Sequence, residues 1–321
     1  MTNDARAARA IFRAASIDDA QAPFDRVILK IWYPALPGRA DEARNTGLVP
    51  ADKEDAPYRV IIVMPGINVG PESYAWFASS MCESGHIVVT YTLIAEEMPG
   101  HTSLTPGLNL AAITPDTYGR EPSSTALQAL IECLHSENES GPLERIINIE
   151  DVVLVGHSGG GSVALFNANP DWFPGVTRAV AYAAHSGAST MLGFADNSIL
   201  ELPSTLPLLL IGGTRDGVIA ASAHRYGDET GNPLERLRQT FSEGMRGNRG
   251  DNYLVEVDGA NHFSFAWPQD ESTARAFLDW PETTDGDAIR SFIFDLISDF
   301  VAGNDLGDYR RHELVAALQQ R

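Results

Sequence analysis

Apolar residues in this chain gather in short, β-branched runs, and longer stretches of helical spacing lie between them. Arg59–Met64 (R-V-I-I-V-M), His86–Tyr91 (H-I-V-V-T-Y), Arg178–Ala184 and Leu206–Gly212 have the composition of strands buried on both faces. So does the start of Asp151–Gly161 (D-V-V-L-V-G-H-S-G-G-G). Val27–Tyr33 alternates enough to be a strand, with Pro34 expected to close it, and Asn252–Val257 is the last clear one. Helical spacing marks Glu72–Ser84, with Gly85 at the position a terminating glycine takes, and Pro122–Ser136. It also marks a stretch near Pro233–Phe241, the amphipathic Ala288–Val301, and Asp308–Gln320, read as a further docking or oligomer helix. Strand, helix and strand over residues 59–91 form a βαβ unit, which requires a parallel sheet.

The rhythm breaks in three places. Residues 35–57 read as a surface loop. Residues 93–121 carry Pro99, Gly100, Pro106, Gly107, Pro115 and Gly119, and residues 217–251 are partly Gly- and Arg-rich. Long excursions at the carboxyl ends of strands are where α/β proteins build sites, so the last two are expected as insertions, a possible lid. No repeat or linker divides the chain, so residues 1–321 read as one α/β domain: a mostly parallel central sheet flanked by helices.

Composition narrows the function classes. The 321 residues hold 23 basic and 43 acidic side chains, a formal net charge of −20. That excludes the basic face a nucleic-acid binder needs, and it disfavours anionic membranes. No apolar stretch is long enough to span a bilayer and the amino terminus has no secretory h-region, so a cytoplasmic protein is expected. Cys82 and Cys133 are too few for a disulfide framework and read as buried free thiols.

Chemistry enters at Gly156-His157-Ser158-Gly159-Gly160, a G-x-S-x-G between a buried strand and a helix. In that context the serine stands at the tip of a sharp turn, its hydroxyl above the sheet beside a helix amino terminus. A serine hydroxyl needs a general base to attack, and the base needs a carboxylate to orient it. Asp216 follows the strand Leu206–Gly212 and His262 follows Asn252–Val257, each alone in a loop at a strand's carboxyl end. Asp258, four residues before His262, is a competing acid placed badly to reach the ring. His157 lies on the wrong side of the elbow to be the base. The oxyanion donors expected are the Gly159 N–H and the Ile67 N–H, the latter in Pro65-Gly66-Ile67-Asn68. Asn68, Tyr74, Trp76, His157, His185, Phe263 and Trp267 are expected to border the substrate pocket. There is no H-E-x-x-H zinc helix and no phosphate loop, so neither a metal nor another cofactor is expected.

These pieces, with Trp32-Tyr33-Pro34, resemble the α/β-hydrolase superfamily over about residues 27–265, including its Ser, Asp, His chain order. Within it the chain resembles the branch of dienelactone hydrolases, cutinase-like polyester esterases and platelet-activating-factor acetylhydrolases. It departs from the first in having serine rather than cysteine at the elbow. It departs from the second in having Ile67 where an aromatic would stack on substrate, and in lacking a carboxy-terminal cysteine pair. The resemblance implies a serine esterase acting on small carboxylic esters through an acyl-enzyme. The same three residues also serve amidases and acyltransferases, and the fold also occurs in non-catalytic binding proteins. Oligomeric state is not set by any of these features.

Overall fold

Alternate residues along the central strands face opposite sides of one sheet, and this period of two divides the core into two layers. Val60, Ile62 and Met64 of β3 (Tyr58–Met64) belong to one apolar cluster, and Ile61 and Val63 belong to the other. The same split recurs in β6 (Ile147–His157), where Val152 and Leu154 face one way and Val153 and Val155 the other. It recurs again in β8 (Leu208–Gly213). The structure, a computed structural model, describes residues 6–18, 20–36, 45–98, 100–203, 205–247 and 249–321. The expected loop over 35–57 falls partly on residues outside this set.

Among the described residues the sheet has ten strands. Nine run in the order β1-β2-β4-β3-β6-β7-β8-β9-β10, and β5 pairs with β4. The pairs β4/β3, β3/β6, β6/β7, β7/β8 and β8/β9 are parallel. The remaining strands are β1 (Ala7–Ser16), β2 (Arg26–Ala35), β4 (Ile87–Met98), β5 (His101–Leu104), β7 (Val176–Tyr182), β9 (Tyr253–Val257) and β10 (Val315–Gln320). One face is covered by α2 (Leu127–Glu139) and α3 (Gly159–Asn167), through Leu127, Leu130, Leu134, Val163 and Phe166. The other is covered by α1 (Ala75–Glu83) and α6 (Gly286–Ala302), through Phe77, Met81, Ile293 and Leu296. Two short helices, α4 (Gly217–Ser222) and α5 (Glu235–Gln239), lie in the stretch after β8. The expected parallel sheet with helices on both faces is what the chain forms.

Four local differences have physical causes. Pro34 does not end its strand: β4 pairs with β2 only over Val27–Trp32, so the proline lies where no donor toward β4 is needed. Residues 308–320 are not a helix: only Gly307–Arg311 forms a short 3-10 turn, and Val315–Gln320 pairs antiparallel with β9. Without β10 the last parallel strand would be an open edge, and that pairing overrides the helix propensity of Ala and Gln. Ala7–Ser16, in which no element is expected, is the opposite edge strand, antiparallel to β2. The start of 93–121 is the end of β4 and a hairpin with β5. Both cysteines are free, and Cys82 is buried but Cys133 only half-buried. No helix among the described residues is long and apolar enough to cross a membrane.

Candidate active site

Ser158 follows β6 directly and precedes α3, with φ 54° and ψ −122°. Such left-handed φ in a non-glycine residue costs about 1–3 kcal/mol and persists only where neighbours hold it. Its N–H donates to the Tyr182 carbonyl at 2.9 Å, and its carbonyl accepts from Ser162 N–H at 3.1 Å. Glycine on either side makes the turn possible. A Cβ on Gly156 would stand 2.2 Å from the Gly160 carbonyl oxygen, and one on Gly160 would stand 2.2 Å from that of Met64.

Three strand ends converge at the serine. Asp216 begins α4: its Oδ1 accepts from Ile219 N–H at 2.8 Å, which leaves Oδ2 for the His262 Nδ1 at 2.9 Å. His262 Nε2 lies 2.9 Å from Ser158 Oγ. Asp216 and His262 are both 2% exposed, so the pair is out of bulk water. The His262 loop is pinned by the Gly259 N–H to Thr214 Oγ1 (3.0 Å) and by Asn261 Nδ2 to the Trp280 carbonyl (2.9 Å). Asp258 accepts from Thr214 Oγ1 at 3.1 Å and takes no part in the row.

A second carboxyl stands beside this pair. Asp279 accepts from the N–H groups of Gly217 (2.9 Å), Phe263 (3.3 Å) and Trp280 (3.0 Å). Burial, and then the charge of Asp216, push its pKa up to about 6. Nothing in the sequence marks it, since its importance comes from tertiary proximity.

His157 is fully buried behind the serine. Its Nε2 lies 3.0 Å from the His262 carbonyl, which can only accept, so the proton is on Nε2 and Nδ1 is bare. Tyr74 Oη donates to that Nδ1 at 2.8 Å and accepts from Gly66 N–H at 2.9 Å. Burial, and then His262, hold the His157 pKa well below the usual imidazole range, so the ring is neutral. The chain of bonds ties the Gly66 turn, the elbow and the His262 loop to one another.

In front of Ser158 lies a cavity of about 350 Å³. Ile67, Asn68, His157, Gly159, His185 and Phe263 line it. Tyr74 and Trp76 instead lie behind, against Phe265. Trp267 lies outside the cavity, 47% exposed, with the Arg290 guanidinium over its ring at 4.2 Å. Ile67 N is 3.9 Å from where a Gly159 Cβ would be, and neither the Ile67 nor the Gly159 N–H has a partner among the described residues. Asn68, at φ 59°, is fixed from outside by Leu104: it donates to that residue's carbonyl at 2.9 Å, and its Oδ1 accepts the Leu104 N–H at 3.0 Å. The 93–121 stretch thus braces the turn, but none of its described residues lines the cavity. Val218, Ile219, Ser222, Arg225 and Tyr226, from 217–251, do line it, and so does Arg275. Among the described residues no group of three His, Cys, Asp or Glu side chains could hold a metal ion.

The sequence model described as the alpha/beta hydrolase family matches residues 60–320. No curated protein matches the chain.

Proposed function

The chain belongs to the alpha/beta hydrolase family, and on that premise we propose that it hydrolyses carboxylic esters, with Ser158 as nucleophile, His262 as general base and acid, and Asp216 as the orienting carboxylate. The observation that carries this reading is the continuous row Asp216 Oδ2, His262 Nδ1, His262 Nε2, Ser158 Oγ, with 2.9 Å at each junction. Asp216 Oδ2 accepts a hydrogen bond from Nδ1–H, which keeps the proton on Nδ1 and leaves Nε2 free to take the serine's. Ser158 Oγ attacks the ester carbonyl as its proton passes to His262. The oxyanion so formed is stabilised by the N–H groups of Ile67 and Gly159. Collapse breaks the bond to the alkoxide, which leaves with the proton from His262. Water then attacks the acyl-enzyme, His262 takes its proton, and the acid departs as the proton returns to Ser158.

Ser158→Ala tests the reading. Turnover of short p-nitrophenyl esters should fall by about 10³-fold or more, with the circular dichroism spectrum unchanged. Ester hydrolysis at the wild-type rate in that variant would end it. Rates with matched esters, amides and alcohol acceptors separate the ester reading from amidase or acyltransferase use of the same row. Esters with water as acceptor should be fastest.

A further inference from the structure

The lining of the cavity is at odds with the charge of the chain. Acidic residues outnumber basic ones 43 to 23 overall, yet none of the described residues lining the cavity is acidic, and two are arginines. Arg275 Nη1 donates to Ser222 Oγ at 2.8 Å, and that hydroxyl donates to the Val218 carbonyl at 2.7 Å, so a neutral group holds this guanidinium in place. The Arg225 side chain has neither a hydrogen bond nor an ion pair among the described residues. Behind them Arg236, 2% exposed, is held by Asn197 Oδ1, the Tyr226 carbonyl and Gln239 Oε1; its charge acts on buried Asp228, but among the described residues no carboxylate is hydrogen-bonded to it. Several arginines elsewhere do pair with acids, as Arg59 does with Asp151 and Arg238 with Glu256.

Arg225 and Arg275 are both half-buried, and their fields overlap: burial first, and then the charge of Arg225, pull the Arg275 pKa down. Like charges set together away from water are unfavourable unless a counter-charge arrives. His185 contributes no negative charge. Its Nδ1 accepts the Gly187 N–H at 3.0 Å, so its proton is on Nε2, and burial brings its pKa down to about 4. The wall therefore offers cations and donors and lacks an anion.

We propose that Arg225 and Arg275 form an anion-binding subsite, and that the substrate is a small ester carrying a carboxylate, held by this pair while its ester carbonyl lies at Ser158. The inference rests on the reading of Ser158 as the nucleophile of an ester hydrolase. A guanidinium fork matches a carboxylate with two parallel hydrogen bonds. A cavity of about 350 Å³ suits a compact ligand such as the mono-ester of a short dicarboxylic acid.

The test compares p-nitrophenyl hydrogen succinate with its neutral methyl ester, using wild type, Arg225→Gln, Arg275→Gln and the double variant. Calorimetric binding of monomethyl succinate to Ser158→Ala protein, with and without the arginine substitutions, supplies a readout that needs no turnover. The wild-type ratio of kcat/KM, charged over neutral, should exceed one, and each substitution should lower it by about 10- to 100-fold, chiefly through KM. Salt should weaken the charged substrate alone. A ratio that the substitutions leave unchanged, with Ser158-dependent turnover intact, overturns the subsite and spares the ester reading. Arginine-dependent binding of monomethyl succinate in a protein that turns over no ester keeps the subsite and sinks the ester reading. Wild type that prefers the neutral ester, and whose Ser158→Ala form does not bind monomethyl succinate, also overturns the subsite.

Discussion

Behind Ser158, the His157 ring is hydrogen-bonded at both nitrogens, Tyr74 Oη donates to it while accepting from Gly66, and Tyr182 Oη donates to the Asn261 carbonyl at 2.6 Å. All these side chains are buried. In front of the same serine, the N–H groups of Ile67 and Gly159 and the side chain of Arg225 have no partner among the described residues, and Arg275 has only a neutral one. Buried polar groups are ordinarily satisfied, and a satisfied network fixes geometry. Donors left open on a cavity wall have their partner still to come. The rear holds the site in register, and on our proposals the front receives an oxyanion and a carboxylate.

The largest effect expected comes from removing His262, the proposed base, which joins the two sides. His262→Ala should lower kcat on esters by about 10³-fold or more with the fold kept. A loss below tenfold in steady-state assays would mean that the front works without its base. Next is Gly160→Ala, whose Cβ would drive into the Met64 carbonyl oxygen at 2.2 Å. Overpacking of this kind costs about 1–3 kcal/mol, and urea denaturation should show it together with a fall in activity as the Gly66–Ile67 turn shifts.

Tyr74→Phe sharpens the contrast directly. It strands the Gly66 N–H and His157 Nδ1 in the interior, with a stability loss of about 1–3 kcal/mol expected from urea midpoints. Ile67→Ala alters a side chain that is 44% exposed on the front and keeps its N–H. It should change stability by no more than about 0.5 kcal/mol. Equal losses in the two variants would erase the distinction between rear and front.

The smallest effect expected is in the pH dependence. The Asp279 pKa is raised from 3.8 to about 6 by burial and by Asp216. Between those values the folded chain binds more protons at this site than the unfolded chain, so its contribution to stability is present at low pH and is lost as pH rises to about 6. Asp279→Asn should remove that slope. Urea midpoints across this window should therefore show the variant gaining on wild type as pH rises, whatever constant offset the lost acceptor brings. Parallel curves would refute the assignment.

Much of this arrangement was legible in the sequence because the fold is regular where the residues are. Ser158, Asp216 and His262 each follow a buried apolar run. Parallel runs lie side by side, so residues just past their ends meet. Arg225 and Arg275 follow no such run: one sits in the 3-10 turn Ala223–Tyr226 and the other in the irregular chain before Ala276–Leu278. Only tertiary packing brings them to one wall. Asp279 lacks a sequence signal for the same reason. Aromatic character alone misplaced Trp267, whose ring is covered by Arg290 rather than by the cavity. Val315–Gln320 is a strand because the open edge of β9 outweighs its local helix propensity.

Reaction of the folded wild-type protein with a fluorophosphonate, followed by peptide mass spectrometry, asks whether Ser158 is the activated nucleophile. A single adduct on Ser158, formed far more slowly in His262→Ala, is expected. No adduct, or an adduct on another serine at a rate indifferent to His262, would contradict it.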